Sequence, residues 1–327
     1  MKKQTQTTIL GDWITDVYIN VNNLSQNQEV ELATLKGNYN GISVYPGGTG
    51  FVLITLLKLL QLNIDSINNI ISVYMLPKFI SGYHPLYDAV QLANTSVNYL
   101  KDNINHTELK IMEMDDPNST ISPTTKTRFI SKSSVNFRLD DDNKLFLKKI
   151  DYSKVFKVES NCNNLILIDY NKGYFNKPTL DSLLRHIQTN SIKIDKLVLN
   201  SKPDNFENFI ALINYLYENG TEVIIQQNEA EFVKLKDILY SKYCKWSNLI
   251  ITYGSHNVQL FTDEPTIQSF AVKKVNAITT SGAGDMLLAG FVYYHIYENF
   301  SIDYALSSAI ALMPEFILNL NSQLFGG

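Results

Sequence analysis

Four short, mostly apolar runs, at residues 165–168, 196–199, 222–225 and 249–252, constrain this chain more than any other feature. A strand that is apolar without alternating must be covered on both faces, as in a parallel sheet crossed by helices above and below. The stretches between the runs read as helices at 179–188, at 206–218 before Gly220, and at 228–239. The last of the four runs is ended by Gly254. Strands alternating with helices predict an α/β fold, a mostly parallel, doubly wound sheet with helices on both faces. Short strands at 258–261 and 267–272 follow, then helices at 282–297 and 302–320, the second kinked or interrupted by Pro314.

The amino-terminal half is less regular. A strand at 7–10, stopped by Gly11, delivers Asp12 and Asp16, and the alternating stretch 17–45 reads as strands lying off the main sheet. Pro46, Gly47 and Gly48 turn into a helix at 51–60 that is apolar nearly all round, hence buried. A strand at 67–75, an amphipathic helix at 86–100, a strand at 109–114 and a polar turn at 115–119 follow. Extended segments are expected at 124–128 and 135–140. Lys126 and Arg128, two apart, share a strand face and suit a phosphate, although a charged, solvated edge strand explains them equally well. With no repeat and no linker rich in Pro, Gly or Ser, residues 1–327 read as one domain.

Composition excludes several classes. A formal charge of −4 with 18% charged residues leaves no electrostatic footprint for nucleic acid. No run approaches the ~18 apolar residues of a membrane span, and Cys162 and Cys244 lack metal-ligand spacing, so a cytoplasmic protein in a reducing compartment is expected. His84, His106, His186, His256 and His295 are scattered, with no pair at metal-ligand spacing. Tyr293, Tyr294 and Tyr297 lie at helical spacing and read as packing.

Chemistry concentrates at residues 279–291, TTSGAGDMLLAGF. Gly282, Ala283 and Gly284 open a helix whose unpaired N–H groups converge on one point, beside Asp285. A carboxylate there can take a proton from a hydroxyl while the amides hold the charge of a transferring phosphoryl group; the plainer reading is an N-capping aspartate. Asn228 and Glu231, three apart, face one side of a first helical turn, where a capping box is the commoner explanation.

Together these segments resemble the ribokinase-like, phosphofructokinase-B type carbohydrate kinases, in particular the branch that phosphorylates the anomeric hydroxyl of heptose 7-phosphates. The resemblance is carried by Gly11, Asp12 and Asp16; by Pro46, Gly47 and Gly48; and by Thr125, Lys126, Thr127 and Arg128 with Arg138, Leu139 and Asp140. It continues through Asp169, Tyr170, Lys172 and Gly173, then Lys202 and Pro203, Asn228, Glu231 and Phe232, Thr252 and Gly254, and the GAGD turn. It implies a ribokinase-like fold with a small β lid built from strands within 17–45 and 124–140, through which two copies pair as a homodimer. It further implies Asp285 as catalytic base, with Gly282, Ala283 and Gly284 as the anion hole. Asp12, Asp16, Gly47, Gly48, Lys126, Arg128, Asp169 and Lys172 would bind the sugar phosphate. Asn228, Glu231, Thr252 and Gly254 would bind ATP, the first two also positioning Mg²⁺, through water.

The chain departs from that pattern at Phe51, where the superfamily carries a sugar-binding Asn, and at Thr279, where an Asp opens the glycine motif. Asn257 stands for a second glycine, and 25–29 replaces a proline-containing stretch. The element expected near 81–84 and the Asn of the last helix are not evident. These substitutions lie on the recognition side while the base and anion hole persist. An active sugar kinase is therefore expected, the alternative being a catalytically silent paralogue that binds a ligand or partners an active subunit.

Overall fold

Side-chain alternation within the central strands sets the layers. In β9 (Asn163–Asp169), Leu165 and Leu167 enter one hydrophobic core while Ile166 and Ile168 enter the other, and neither core admits water at these positions. The same division recurs in β10 (Ile194–Ser201), β11 (Glu222–Asn228) and β12 (Asn248–Thr252). This is why runs such as LILI and VIIQ show no alternation: both faces are covered. The computed structural model describes residues 6–26, 35–62, 70–72, 74–77, 91, 95–96, 98, 111–114, 124–131, 134–142, 150, 152, 156, 163–262, 267–277 and 280–325.

The main sheet is completed by β1 (Gln6–Gly11), β4 (Ile70–Ser72), β13 (Asn257–Thr262) and β14 (Ile267–Ala271), in the order β14-β13-β12-β11-β10-β9-β1-β4. It is parallel from β4 to β12, and β13 and β14 add antiparallel to one edge. On one face lie α1 (Thr49–Leu62), α6 (Ala283–Val292) and α7 (Ile302–Phe325). On the other lie α2 (Lys177–Thr189), α4 (Ile210–Glu218) and α5 (Glu229–Leu239), with the short α3 (Pro203–Phe206) leading into α4 through a single 3₁₀ turn.

A separate four-stranded sheet forms at the carboxyl end of β1, in the order β3-β2-β7-β8. It comprises β2 (Trp13–Gln26), β3 (Leu35–Gly48), β7 (Thr124–Ser131) and β8 (Ser134–Asp141). The segments expected to stand off the main sheet therefore do so, and they pair with one another, β2 running parallel to β7. At Gly11 and Asp12 the chain passes from β1 of the main sheet into β2 of the second sheet. An added Cβ at Gly11 would collide with the Ile168 carbonyl of the neighbouring strand, so no larger residue fits.

Several boundaries differ from expectation. The single strand at 67–75 is divided: Ile70–Ser72 joins β1, while β5 (Tyr74–Pro77) pairs with β6 (Ile111–Met114) in its own two-stranded sheet. The helix placed at 206–218 begins at Pro203, a favoured first helical residue because its missing N–H has no partner there in any case. Asn176 starts α2 with a reciprocal cap on Thr179. The helix placed at 282–297 widens after Val292 into a π turn, Tyr293–Tyr297. Helix α7 passes through Pro314 without ending. Most of the helix placed at 86–100, the turn at 115–119, His84, His106, Cys162 and Thr279 lie outside the described residues.

Candidate active site

The amino terminus of α6 opens where the lid sheet meets the main sheet. Gly282, its N-cap, is left-handed (φ 82°), and an added Cβ would also meet the Phe51 ring at 3.2 Å, so glycine is required twice over. At Gly284 an added Cβ would meet nothing within 4 Å, which leaves the helix terminus open to an anion. From β11 beneath, Gln226 Nε2 donates to the Gly284 carbonyl (3.2 Å) and steadies this first turn.

Asp285 sits in that turn and accepts a hydrogen bond from the Tyr170 hydroxyl on Oδ1. Burial pushes its carboxyl up to about 6, against the opposing pull of Tyr170, Lys126 and Lys202. The same burial, with the Asp285 charge beside it, holds the Tyr170 phenol well above its ordinary range, so Tyr170 is the donor.

Asp12 and Asp169, expected to line a sugar site, are instead built into the scaffold. Asp12 is 2% exposed and accepts the backbone N–H groups of Tyr170 (2.7 Å), Lys172 (3.0 Å) and Tyr174 (3.0 Å). Asp169 is fully buried and accepts from Ser201 Oγ, Asn205 Nδ2 and the Asn171 N–H. Burial and the neighbouring Asp169 push the Asp12 carboxyl up to about 7 despite its three donors. Together the pair fixes the loop that follows β9, and that loop presents Tyr170. Lys172 turns away to an ion pair with Asp142 at 2.5 Å.

Lys126 and Arg128 share a face of β7, as their spacing predicts, but their situations differ. Arg128 is 5% exposed and committed: it donates to Asp16 Oδ1 (2.7 Å) and Ser281 Oγ (3.1 Å), with Tyr18 packed on its guanidinium. It therefore ties the lid to the residue preceding the anion hole. Asp16 is bound in turn by Arg128 and abuts Gly47, where an added Cβ would lie 2.5 Å from Asp16 Oδ2. Gly48 is left-handed (φ 57°) and packs against the Asp12 carbonyl. Lys126 has no ion-pair partner among the described residues; its Nζ lies 5.3 Å from the Tyr170 ring centre, and burial pushes its ammonium below the ordinary range. Lys58, which lines the same cavity as Lys126, likewise has no ion-pair partner among the described residues.

Asn228 and Glu231 form the capping box of α5, with Asn228 Oδ1 accepting the Glu231 N–H (2.9 Å) and Glu231 Oε2 accepting the Asn228 N–H (3.1 Å). Glu231 Oε1 pairs with Lys202, whose Nζ lies 5.2 Å from the Tyr170 ring centre. Each side-chain oxygen expected to position Mg²⁺ already has an internal donor. Among the described residues no group of three His, Cys, Asp or Glu is placed to hold a metal ion. Direct ligation of Mg²⁺ by this pair does not fit. Thr252 ends β12, and Gly254 (φ 59°) turns the chain into β13 beside open space; these residues and the capping box stand apart from the cavity walls.

A cavity of about 400 Å³ collects the remaining candidates. Asp16, Gly48, Lys126, Arg128, Gly282 and Asp285 all line it. Tyr170, Ser281, Lys58, Glu315 and Phe51 also line it, the last set edge-on to Phe316 (5.6 Å between ring centres). Tyr170 and Lys202 were visible as parts of motifs, but nothing local marks them as neighbours of Asp285. Gln226 carried no signal, since a glutamine in an apolar strand reads only as a buried polar residue.

A family model described as pfkB family carbohydrate kinase matches residues 98–315. A ribokinase from Dictyostelium discoideum is 28% identical over 103 residues, 31% of this chain; the chain spans about a third (32%) of that relative's length. Among solved structures, phosphofructokinase-2 from Escherichia coli superposes with a TM-score of 0.64 at 14% identity, covering 99% of this chain and 98% of that one. A ribokinase from Thermotoga maritima gives a TM-score of 0.60 at 13% identity, with coverages of 99% and 96%. At such identities the structural likeness shows the ribokinase-like fold alone; the family match supplies the rest. This chain belongs to the pfkB family of carbohydrate kinases.

Proposed function

We propose that the protein transfers the γ-phosphoryl group of ATP to a sugar hydroxyl, with the anomeric hydroxyl of a heptose 7-phosphate as the first acceptor to test. The observation that carries this reading is the placement of Asp285. It stands at an open helix amino terminus, faces a cavity that also holds the uncommitted Lys126, and has a carboxyl poised near 6.

In this reading an acceptor hydroxyl enters the cavity and donates to Asp285. As its oxygen attacks the γ-phosphorus, the proton passes to the carboxylate, the bond from the γ-phosphorus to the bridging oxygen breaks, and ADP leaves. The open helix terminus at Gly282 and Gly284 holds the charge on the transferring group; the Ala283 N–H, expected to join them, is already donated to the Thr280 carbonyl (3.1 Å). Lys126 meets the phosphate of the acceptor or the γ-phosphoryl group, and Phe51 and Phe316 exclude water from the side of the cavity they wall. Arg128 keeps the lid docked on the glycine turn while this happens. The heptose preference rests on the segments quoted above for the resemblance. ATP as donor implies a cytoplasmic protein, and the lid sheet is the surface through which we expect two copies to pair.

The test is phosphoryl transfer from Mg-ATP across a panel of sugars and sugar phosphates that includes heptose 7-phosphate, with Asp285→Asn alongside. Transfer that falls by about 10²–10⁴-fold in the variant, while nucleotide binding persists, is the expected result. No transfer to any acceptor by folded protein that binds a sugar phosphate would favour a silent paralogue.

A further inference from the structure

Among the described residues, the side-chain donor to Asp285 is Tyr170, through its hydroxyl. Its position is determined from several directions. Its backbone N–H donates to the buried Asp12 at 2.7 Å. Its ring packs beside the core containing α1 and α6, with Lys126 and Lys202 within 5.3 Å and 5.2 Å of its centre. Lys202 is anchored by Glu231 at the start of α5. The hydroxyl that this scaffold presents ends on Asp285 Oδ1. Among the described residues, Oδ2 of the same carboxylate has no donor.

We propose that Tyr170 is the positioning residue for the base: its hydroxyl fixes Oδ1 and leaves Oδ2 as the single site that receives the acceptor's proton. The proposal rests on Asp285 being that base. A carboxylate free to rotate presents two equivalent oxygens over a range of directions, whereas one held at Oδ1 presents one oxygen along one direction, which is what in-line attack needs. The donated hydrogen bond also favours the ionised form where burial opposes it. Asp12 acts at one remove, by holding the Tyr170 backbone, which gives this buried carboxylate a purpose other than sugar binding.

The groups facing Asp285 are Tyr170 from the loop after β9, Lys126 from β7, Asp16 from β2 and Lys202 from the loop after β10. Tyr170→Phe removes only the hydroxyl and keeps the ring on which both lysines rest. Two readouts test the proposal. The first needs no acceptor: the ionisation of Asp285 is followed by carboxylate infrared difference spectroscopy, with Asp285→Asn identifying its band. Its midpoint is expected to rise by about one pH unit in Tyr170→Phe; an unmoved midpoint overturns the proposal. The second uses whichever acceptor the panel identifies. The expected result is a kcat about tenfold lower, with KM for both substrates nearly unchanged and the acid limb of the pH profile moved upward. An unchanged or faster kcat overturns the proposal. A moved Asp285 midpoint in a protein that phosphorylates no acceptor supports the positioning and counts against the kinase reading alone.

Discussion

Asp285 can accept a proton only as a carboxylate, so its environment determines the pH range in which the site works. Burial raises its pKa from 3.8 to about 6, which leaves it mostly ionised at neutral pH. Activity is therefore expected to be full above about pH 7 and to fall about tenfold per unit below about pH 6, as the protonated fraction grows. A pH–rate profile measures this, and a limb near 4 would mean that the base is more exposed than the structure places it. The glycine turn and Asp285 were visible in the sequence, but an N-capping aspartate explained them as plainly until the other segments of the resemblance were added. Asp12 and Asp169 show the converse. Two carboxylates at strand ends look like ligand groups, and only their neighbours reveal that three and three donors, respectively, have claimed them.

Strand β7 illustrates how an element sorts its residues. Its pleat puts Lys126 and Arg128 on one face, but the parallel pairing with β2 sets Asp16 opposite Lys126 in register, and the longer reach of Arg128 claims that carboxylate. Lys126 is thereby left without an ion-pair partner among the described residues, and Arg128 is consumed as a strut. Lys126→Met is accordingly expected to raise KM for a phosphorylated acceptor about tenfold, a loss of one charge-assisted contact, and to do less to its dephosphorylated analogue. Arg128→Met is expected to impair both acceptors alike, because it loosens the lid from Ser281. Steady-state kinetics on the matched pair of acceptors separates the two roles, and identical behaviour of the two variants would contradict the assignment. Spacing alone could not divide them, since the division comes from a partner strand more than a hundred residues away.

At the scale of the whole molecule, the lid sheet leaves Ile42 (38%) and Phe137 (48%) exposed, with Phe137 against Phe129 on the adjacent strand. Apolar groups on a sheet that stands away from the main core suit a contact between two copies. Light scattering during size exclusion is expected to give a dimer in which Phe137→Asp shifts the mass toward monomer. A wild-type monomer at all concentrations would remove the lid from this role.

Three kinds of information were local and could be read from the chain itself. The apolar runs without alternation pointed to a sheet covered on both sides; the stretches at 17–45 and 124–140 read as strands off the main sheet; and GAGD before an apolar helix offered an anion-binding turn beside the plainer reading of an N-capping aspartate. Each depends on backbone geometry and burial within one segment, which residue order encodes directly. Which carboxylate is held by scaffold donors and which faces the cavity, which of the two β7 cations has an ion-pair partner, and which hydroxyl reaches Asp285 were decided only by the folded structure. The physical reason is competition: a charged or polar side chain does what its nearest partner leaves it free to do. Here those partners come from β1, β7, the loop after β9 and α6, brought together from positions 12 to 285 by the sheet.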